Sequence, residues 1–586
     1  MDTRSDSLPV GWLGTRTAAD RTNLIETALG KRPADLVIKG AEVYNPFLGV
    51  FQKGDLAISD GRVAGLGSYE GHTKIDGSGG YLIAGFIDSH VHIESSMTGP
   101  LEFAKTLSEG GTTTVVADPH EIANVAGLTG LSWLLKATED LPITVFVMTP
   151  SCVPASPLER GGAVMGRYEI ARFLSFERVL GLGEMMNFPG VINSDPEVLA
   201  KLSLAVLIDG HSPGLKDESL RAYAGAGIST DHECRTKQEA LERISYGQRV
   251  LMRQGTAAKN LLDLLPAVNN HNFHFFHLST DDRHARDLVR EGSINHLVAL
   301  AAAARPKALG PIINMATLNP SIHYDLRELG ALVPGRVADM ALYPDLKDFK
   351  PSIVWRHGIK VAENGRSLWN KPPPPTETFR DTVILGPLDP QSLKVKATGP
   401  KVRVIGVVPD QIVTKHLIEN LPTHNGFYEA DGNTDLAKMA VWDRYGSKSP
   451  PAVGFIRGLG IRQGAIGTTV SHDSHNLSVA GVNDADMLVC AAHLEKIGGG
   501  LALALNGQII DALPLPLGGL MSELTMSQTA ATLDRLVATC PKMGFAAGFD
   551  PFMLLSFMSL SVIPSLKLTA GGLVDAVTFE SVATVF

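Results

Sequence analysis

Cysteine is scarce: the 586 residues include only four, Cys152, Cys234, Cys490 and Cys540, and none stands in a Cys-x-x-Cys pair. That spacing excludes a disulfide framework and a thiolate zinc site, and it fits a reducing, cytoplasmic setting. Positive charge is not in excess either. The net charge of -9 comes without the clustered Lys and Arg that phosphate backbones require, so no nucleic-acid partner is expected and a small-molecule substrate is. Long apolar runs are missing too. The longest late one, Phe549 to Ile563, carries Asp550 and Pro551 and is closed by Pro564. It falls short of the roughly 18 clean apolar residues of a membrane span and reads as a buried helix. The start, Met1-Asp2-Thr3-Arg4-Ser5-Asp6, lacks the basic-then-apolar order of a secretory signal.

What is present is a soluble, turn-rich composition, 44% hydrophobic with 59 Gly and 35 Pro, in a chain long enough for about three or four domains. Residues 1–34 form an N-terminal extension whose segment Arg16 to Gly30 has helical spacing and ends in glycine. Short strands follow at Asp35–Gly40, Asp55–Ser59 and Arg62–Leu66, the last two joined by an Asp60-Gly61 hairpin turn. From 81 to 330 apolar strands alternate with helical segments, at Thr113–Ala117, Ile143–Val147, Val179–Gly183, Ala205–Ile208 and Phe273–Phe276. This alternation favours a (β/α)8 TIM-like barrel over a doubly wound sheet, since no Gly-rich phosphate loop follows the first strand. Residues 331–370 return to strand-and-turn character and complete the β domain of residues 35–80. Lys371-Pro372-Pro373-Pro374-Pro375 is a stiff linker, and 379–586 is a separate α/β domain.

Catalytic groups of a barrel sit at the C-terminal ends of its strands. His90 and His92 close the apolar run Tyr81–Ile87, and their two-residue spacing puts both imidazoles on one face of a strand, able to grip one ion. Later strand ends carry Asp118-Pro119-His120-Glu121, Glu184, His211, His232-Glu233 and Asp281-Asp282. Each has a structural alternative. His211 reads equally as a loop histidine, His232 as a helix cap, Glu184 as a solvated or paired acid, and Asp281 or Asp282 as the N-cap of a helix starting near Arg283. The six ligand candidates His90, His92, Glu184, His211, His232 and Asp281 exceed one four-coordinate site, so a pair of metals fits better, with zinc, manganese and iron all suited to His and carboxylate donors. Arg243 and Arg249 to Arg253 read as a solvated helix face. His472 and His475, in Ser471-His472-Asp473-Ser474-His475-Asn476, read as a further metal site, a lid or a polar turn.

The order of these residues resembles the metal-ligand order of the amidohydrolase superfamily, and more closely the bacterial adenine deaminases. The motifs are Ser89-His90-Val91-His92-Ile93-Glu94-Ser95, Asp118-Pro119-His120-Glu121-Ile122-Ala123-Asn124, Ser279-Thr280-Asp281-Asp282-Arg283 and Met315-Ala316-Thr317-Leu318-Asn319-Pro320, continuing in Ser471–Asn476 and Leu513-Pro514-Leu515-Pro516. The resemblance implies that the two flanking β segments form one small β-sandwich beside the barrel. It also implies two divalent metal ions, manganese ahead of iron and zinc, bridged by Glu184 where many relatives use a carboxylated lysine. The implied reaction is conversion of adenine to hypoxanthine and ammonia, in purine salvage. Asp281 is expected to move the proton, and Glu121, His120 and Glu233 are the candidates for the donor near N1 that answers the negative charge built on the ring. A homo-oligomer, a dimer, is expected. The rivals are hydrolysis of a cyclic amide or ester at the same centre and a non-catalytic scaffold.

Overall fold

The structure is a computed structural model describing residues 17–372, 379–408, 411–546 and 548–586. The readings of Met1–Asp6, of Arg16 and of Pro373, Pro374 and Pro375 lie outside the described residues. The helix Ala18–Ala28 starts at Thr17, whose hydroxyl and the Asp20 carboxylate cap one another's backbone N–H. Its Leu24 packs on Ala34, Val37 and Ala57 of the sheet below.

That sheet is nine-stranded. The first segment supplies β1 (Ala34–Asn45), β2 (Val50–Ser59), β3 (Arg62–Gly67), β4 (Gly71–Asp76) and β5 (Tyr81–Ala84). Asp60 and Gly61 turn the β2–β3 hairpin with φ of 50° and 71°, as a tight hairpin turn demands. The apolar run from Tyr81 does not continue into the barrel as one strand. β5 pairs with β1 and with Met340–Tyr343, and the barrel begins after Gly85. A Cβ at Gly85 would lie 2.1 Å from Thr113 Oγ1, so only glycine lets the chain cross there. Side chains of both flanking segments, among them Leu36, Ile58, Leu82, Met340 and Trp355, share one core.

The barrel strands are β6 (Phe86–Val91), β7 (Thr112–Ala117), β8 (Thr144–Thr149), β9 (Val179–Met185), β10 (Ile208–Gly210), β11 (Thr230–Asp231), β12 (Arg249–Arg253) and β13 (Phe276–Ser279). β6 to β10 make a five-stranded parallel sheet and β11 to β13 a three-stranded one. Backbone bonds close the ring: Ser229 N–H donates to Ile208 O (2.9 Å), Asp281 N–H to His90 O (3.0 Å) and His92 N–H to Asp281 O (3.4 Å). Three expectations need correction. The strand expected at Ala205–Ile208 starts only at Ile208, because Val206 stands fully in solvent. Phe273–Phe275 is a 3-10 turn, its Phe273 and Phe275 N–H groups donating to Asn269 O and Asn272 O (3.0 and 2.9 Å). Arg249–Arg253 is not a helix face but β12 itself, and Arg243 is 1% exposed, its Nε donating to Asp231 at 2.7 Å.

The last region is built on an eight-stranded sheet of order Thr414–Glu419, Val402–Val407, Ala452–Arg457, Leu436–Trp442, Leu477–Gly481, Ala465–Thr468, Gly500–Leu505, Gln508–Pro514. Helix Asp484–Lys496 covers one face through Met487, Cys490 and Leu494. An apolar cluster runs unbroken from Ile93, Met97 and Ile122 of the barrel into Val470, Leu517 and Phe557 of this region, which seats it over the ends of the barrel strands. Within Phe549 to Ile563 the helix spans only Pro551–Ser556, buried on most sides. Among the described residues no helix is long and apolar enough to cross a membrane.

Candidate active site

Each candidate ligand arrives from the C-terminal end of a barrel strand. His90 lies on β6 and His92 just beyond it. His92 Nδ1 lies 2.7 Å from Asp118 O; it donates there, which leaves Nε2 free to face the centre. Glu184 lies on β9, fixed by its own N–H donating to Asp118 Oδ2 at 2.7 Å. A Cβ at Gly183 would sit 2.2 Å from that same oxygen, so the glycine before Glu184 admits the carboxylate that orients it.

Glu184 joins two histidine pairs. Oε1 lies 3.5 Å from His92 Nε2 and 3.9 Å from His90 Nε2, whereas Oε2 lies 2.8 Å from His211 Nδ1 and 3.3 Å from His232 Nε2. Asp281 Oδ1 faces the first pair, 3.2 Å from His92 Nε2 and 3.5 Å from His90 Nε2. His90, His232 and Asp281 bring ligand atoms within 4.8 Å of one another, as do His90, His92 and Glu184, and Glu184, His211 and His232. The structure thus brings all six together. Buried, His90 Nε2 finds no hydrogen-bond partner among the described residues, and a buried unmet nitrogen facing two carboxylates is suited to ligate a cation. The donor set fits two divalent ions.

Burial alone would raise the Glu184 and Asp281 carboxyls. His232 and His211 instead hold Glu184 well below the usual carboxylate range, and Arg253, His90 and His92 do the same for Asp281. Arg253 is the residue that sequence reasoning misplaced. Its Nη1 lies 2.6 Å from Glu233 Oε1 and 2.8 Å from Asp281 Oδ2, at 8% exposure. Its place as the last residue of β12 was the available signal. The helix-cap alternatives fail: the helix after this turn is Ala285–Arg290 with His284 before it and no side-chain cap, and the one after His232 is capped by Thr236. Asp281 has φ 56° and turns back into the centre, while Asp282 Oδ1 accepts from Ser95 Oγ.

The other candidates ring this centre. His120 Nδ1 lies 3.3 Å from Glu184 Oε1 and its Nε2 3.5 Å from Glu121 Oε1. Glu233 Oε1 lies 3.7 Å from His211 and 3.6 Å from His232. His472 and His475 reach Glu121 from the C-terminal region, a meeting that their distance in sequence hid. A cavity opens between the two regions, walled by Met97, Asp282, His284, His472 and Phe557.

Comparison with known proteins finds two matched regions. Residues 81–361 match the amidohydrolase family and residues 411–580 the adenine deaminase C-terminal domain. The chain is 47% identical over 562 residues to adenine deaminase 2 of Carboxydothermus hydrogenoformans, covering 96% of this chain and 98% of that protein. It is 44% identical over 568 residues to an adenine deaminase of Desulfatibacillum aliphaticivorans, covering 96% and 99%. With two matched regions in order and this identity along nearly the whole length, the protein belongs to the adenine deaminase family of amidohydrolases.

Proposed function

We propose that this protein deaminates adenine hydrolytically, giving hypoxanthine and ammonia. The observation that carries the reading is Glu184, whose two oxygens face two separate histidine pairs in a chain related over nearly its whole length to adenine deaminases. His90, His92 and Asp281 would hold one divalent cation, His211 and His232 the other, with Glu184 between them. Bound there, such a pair supplies the Lewis acidity that turns water into a nucleophile at neutral pH. Asp281, kept ionised by Arg253, takes the proton of the attacking water and returns it to the departing amine. Of the three groups flanking the centre, Glu121 and Glu233 are held as carboxylates and act as acceptors for N–H groups of the purine. His120 is the donor among them. Burial opposes its charge, but Glu121 and Asp118 raise it well above the ordinary range, so it can meet the charge that builds on the ring as C6 is attacked.

The same reading takes manganese as the metal ahead of iron and zinc, a cytoplasmic place in purine salvage, and a homodimer that covers exposed apolar side chains such as Val164, Tyr168 and Val206. The test is ammonia release from adenine beside a panel of cyclic amides, with Asp281→Asn as the paired variant. Adenine is expected to be the substrate, with turnover falling by about a hundredfold to ten-thousandfold in the variant. Hydrolysis of a cyclic amide with no ammonia from adenine would overturn it.

A further inference from the structure

The segment Ser471–Asn476 is wholly buried and belongs to the C-terminal region, yet two of its side chains end on a carboxylate of the barrel. His472 Nδ1 lies 3.0 Å from Glu121 Oε1, and His475 Nε2 bonds Glu121 Oε2. Each oxygen therefore has its own imidazole. The tautomer of His475 follows from its other nitrogen: Nδ1 accepts the Ser471 N–H at 3.2 Å, so the proton sits on Nε2 and is donated to Glu121. The His472 ring lies flat on Phe557, with centroids 4.6 Å apart and planes at 12°, and the backbone N–H of His472 donates to Ser556 O at 2.8 Å.

The segment is also tied to its surroundings. Tyr445 Oη donates to Ser474 O at 2.6 Å, and Asn476 Nδ2 donates to Arg160 O, in the barrel, at 2.7 Å. The barrel's Glu159 accepts from Ser474 Oγ. Such a braced turn holds its two imidazoles with little freedom. Burial would raise Glu121, but His475, His472 and His120 hold it well below the usual range, and Glu121 in turn lifts His472 to about 9 against the opposing effect of burial. Glu121 adjoins His120, which touches Glu184, and His472 walls the cavity between the two regions. The carboxylate so held links the ligand candidates, through His120, to the turn whose His472 walls the cavity.

We propose that His472 and His475 are positioning residues: by donating to the two oxygens of Glu121 they aim this carboxylate at the purine, so that the C-terminal domain completes the active site. The proposal rests on the adenine reading above. It has a geometric signature that a merely structural role lacks. A glutamine amide reaches about as far as Nε2 and an asparagine amide about as far as Nδ1, so His475→Gln and His472→Asn keep the donor while His475→Asn and His472→Gln displace it.

The experiment measures kcat and KM for adenine, affinity for unsubstituted purine by calorimetry, and metal content, in the wild type and these four variants. His475→Gln and His472→Asn are expected to stay within about tenfold of the wild type in kcat/KM, and the other two to fall by about a hundredfold, all with wild-type metal content. If the wild type is active but the members of each pair do not separate, this inference fails alone. Loss of one metal per chain in His472→Gln and His475→Asn would make Glu121, His472 and His475, whose ligand atoms lie within 4.8 Å of one another, a cation site and overturn it too. A wild type that neither releases ammonia from adenine nor binds purine overturns both readings.

Discussion

At the scale of single residues, Glu184 stands between two histidine pairs, one oxygen 3.5 Å from His92 and the other 2.8 Å from His211. An amide keeps that shape but carries no charge. Glu184→Gln is therefore expected to lose metal and to lose activity by more than about a hundredfold, read by elemental analysis beside ammonia release. A metal-replete and nearly normal variant would move the bridge elsewhere. Arg253 supports the same centre from outside. One of its guanidinium nitrogens, Nη1, serves Glu233 and Asp281 together, so Arg253→Met leaves Asp281 free to turn and removes the cation that keeps it ionised. Turnover should drop by about tenfold to a hundredfold while both metals stay bound, as expected for a group that orients a ligand without being one.

At the scale of elements, legibility follows periodicity. β6, β7, β8 and β9 are buried on both faces almost throughout and each carries an apolar stretch, and their ends announced His90, His92, Asp118 and Glu184. β10 and β11 are three and two residues long, so the apolar run at Ala205–Ile208 only grazes β10, and the order of motifs was needed to raise His211 and His232 above a loop histidine and a helix cap. β12 misled for a different reason. Arg249 and Arg253 bracket it, and charge at both ends of Val250–Met252 looks like a wet surface unless the buried carboxylates that answer Arg253 are known.

A late strand of the C-terminal region, Leu566–Thr569, gives a pH test of packing. Lys567 within it is completely buried, its ammonium nitrogen donating to Ile412 O at 2.8 Å and Phe557 O at 2.9 Å, and burial pulls its pKa down to about 7 from the usual lysine range. The unfolded chain then binds one more proton than the folded one between about pH 7 and 10. Stability rises with pH across that window and is flat below it, with a slope of at most about 1.4 kcal/mol per pH unit from this one group. Lys567→Met removes that contribution. Measured by denaturant melts, the wild type should gain on the variant steadily from pH 7 to 10; parallel curves would mean that Lys567 stays charged when folded.

At the scale of the whole molecule, the barrel and the ligand order were readable because strand-end chemistry repeats in sequence. What joins the two halves was not. Glu121 and His475 are brought together only by the fold, and no local pattern links the first turn of a barrel helix to a turn in a distant sheet. The scaffold alternative also fails at this scale, since all six ligand candidates converge with donor atoms in reach and the family relationship runs along nearly the entire chain. The most direct test of the account starts from metal-free protein, adds Mn2+ in steps and follows ammonia released from adenine. Activity should climb to its plateau at two equivalents per chain; a plateau at one equivalent, or no ammonia from adenine at any loading, would contradict it.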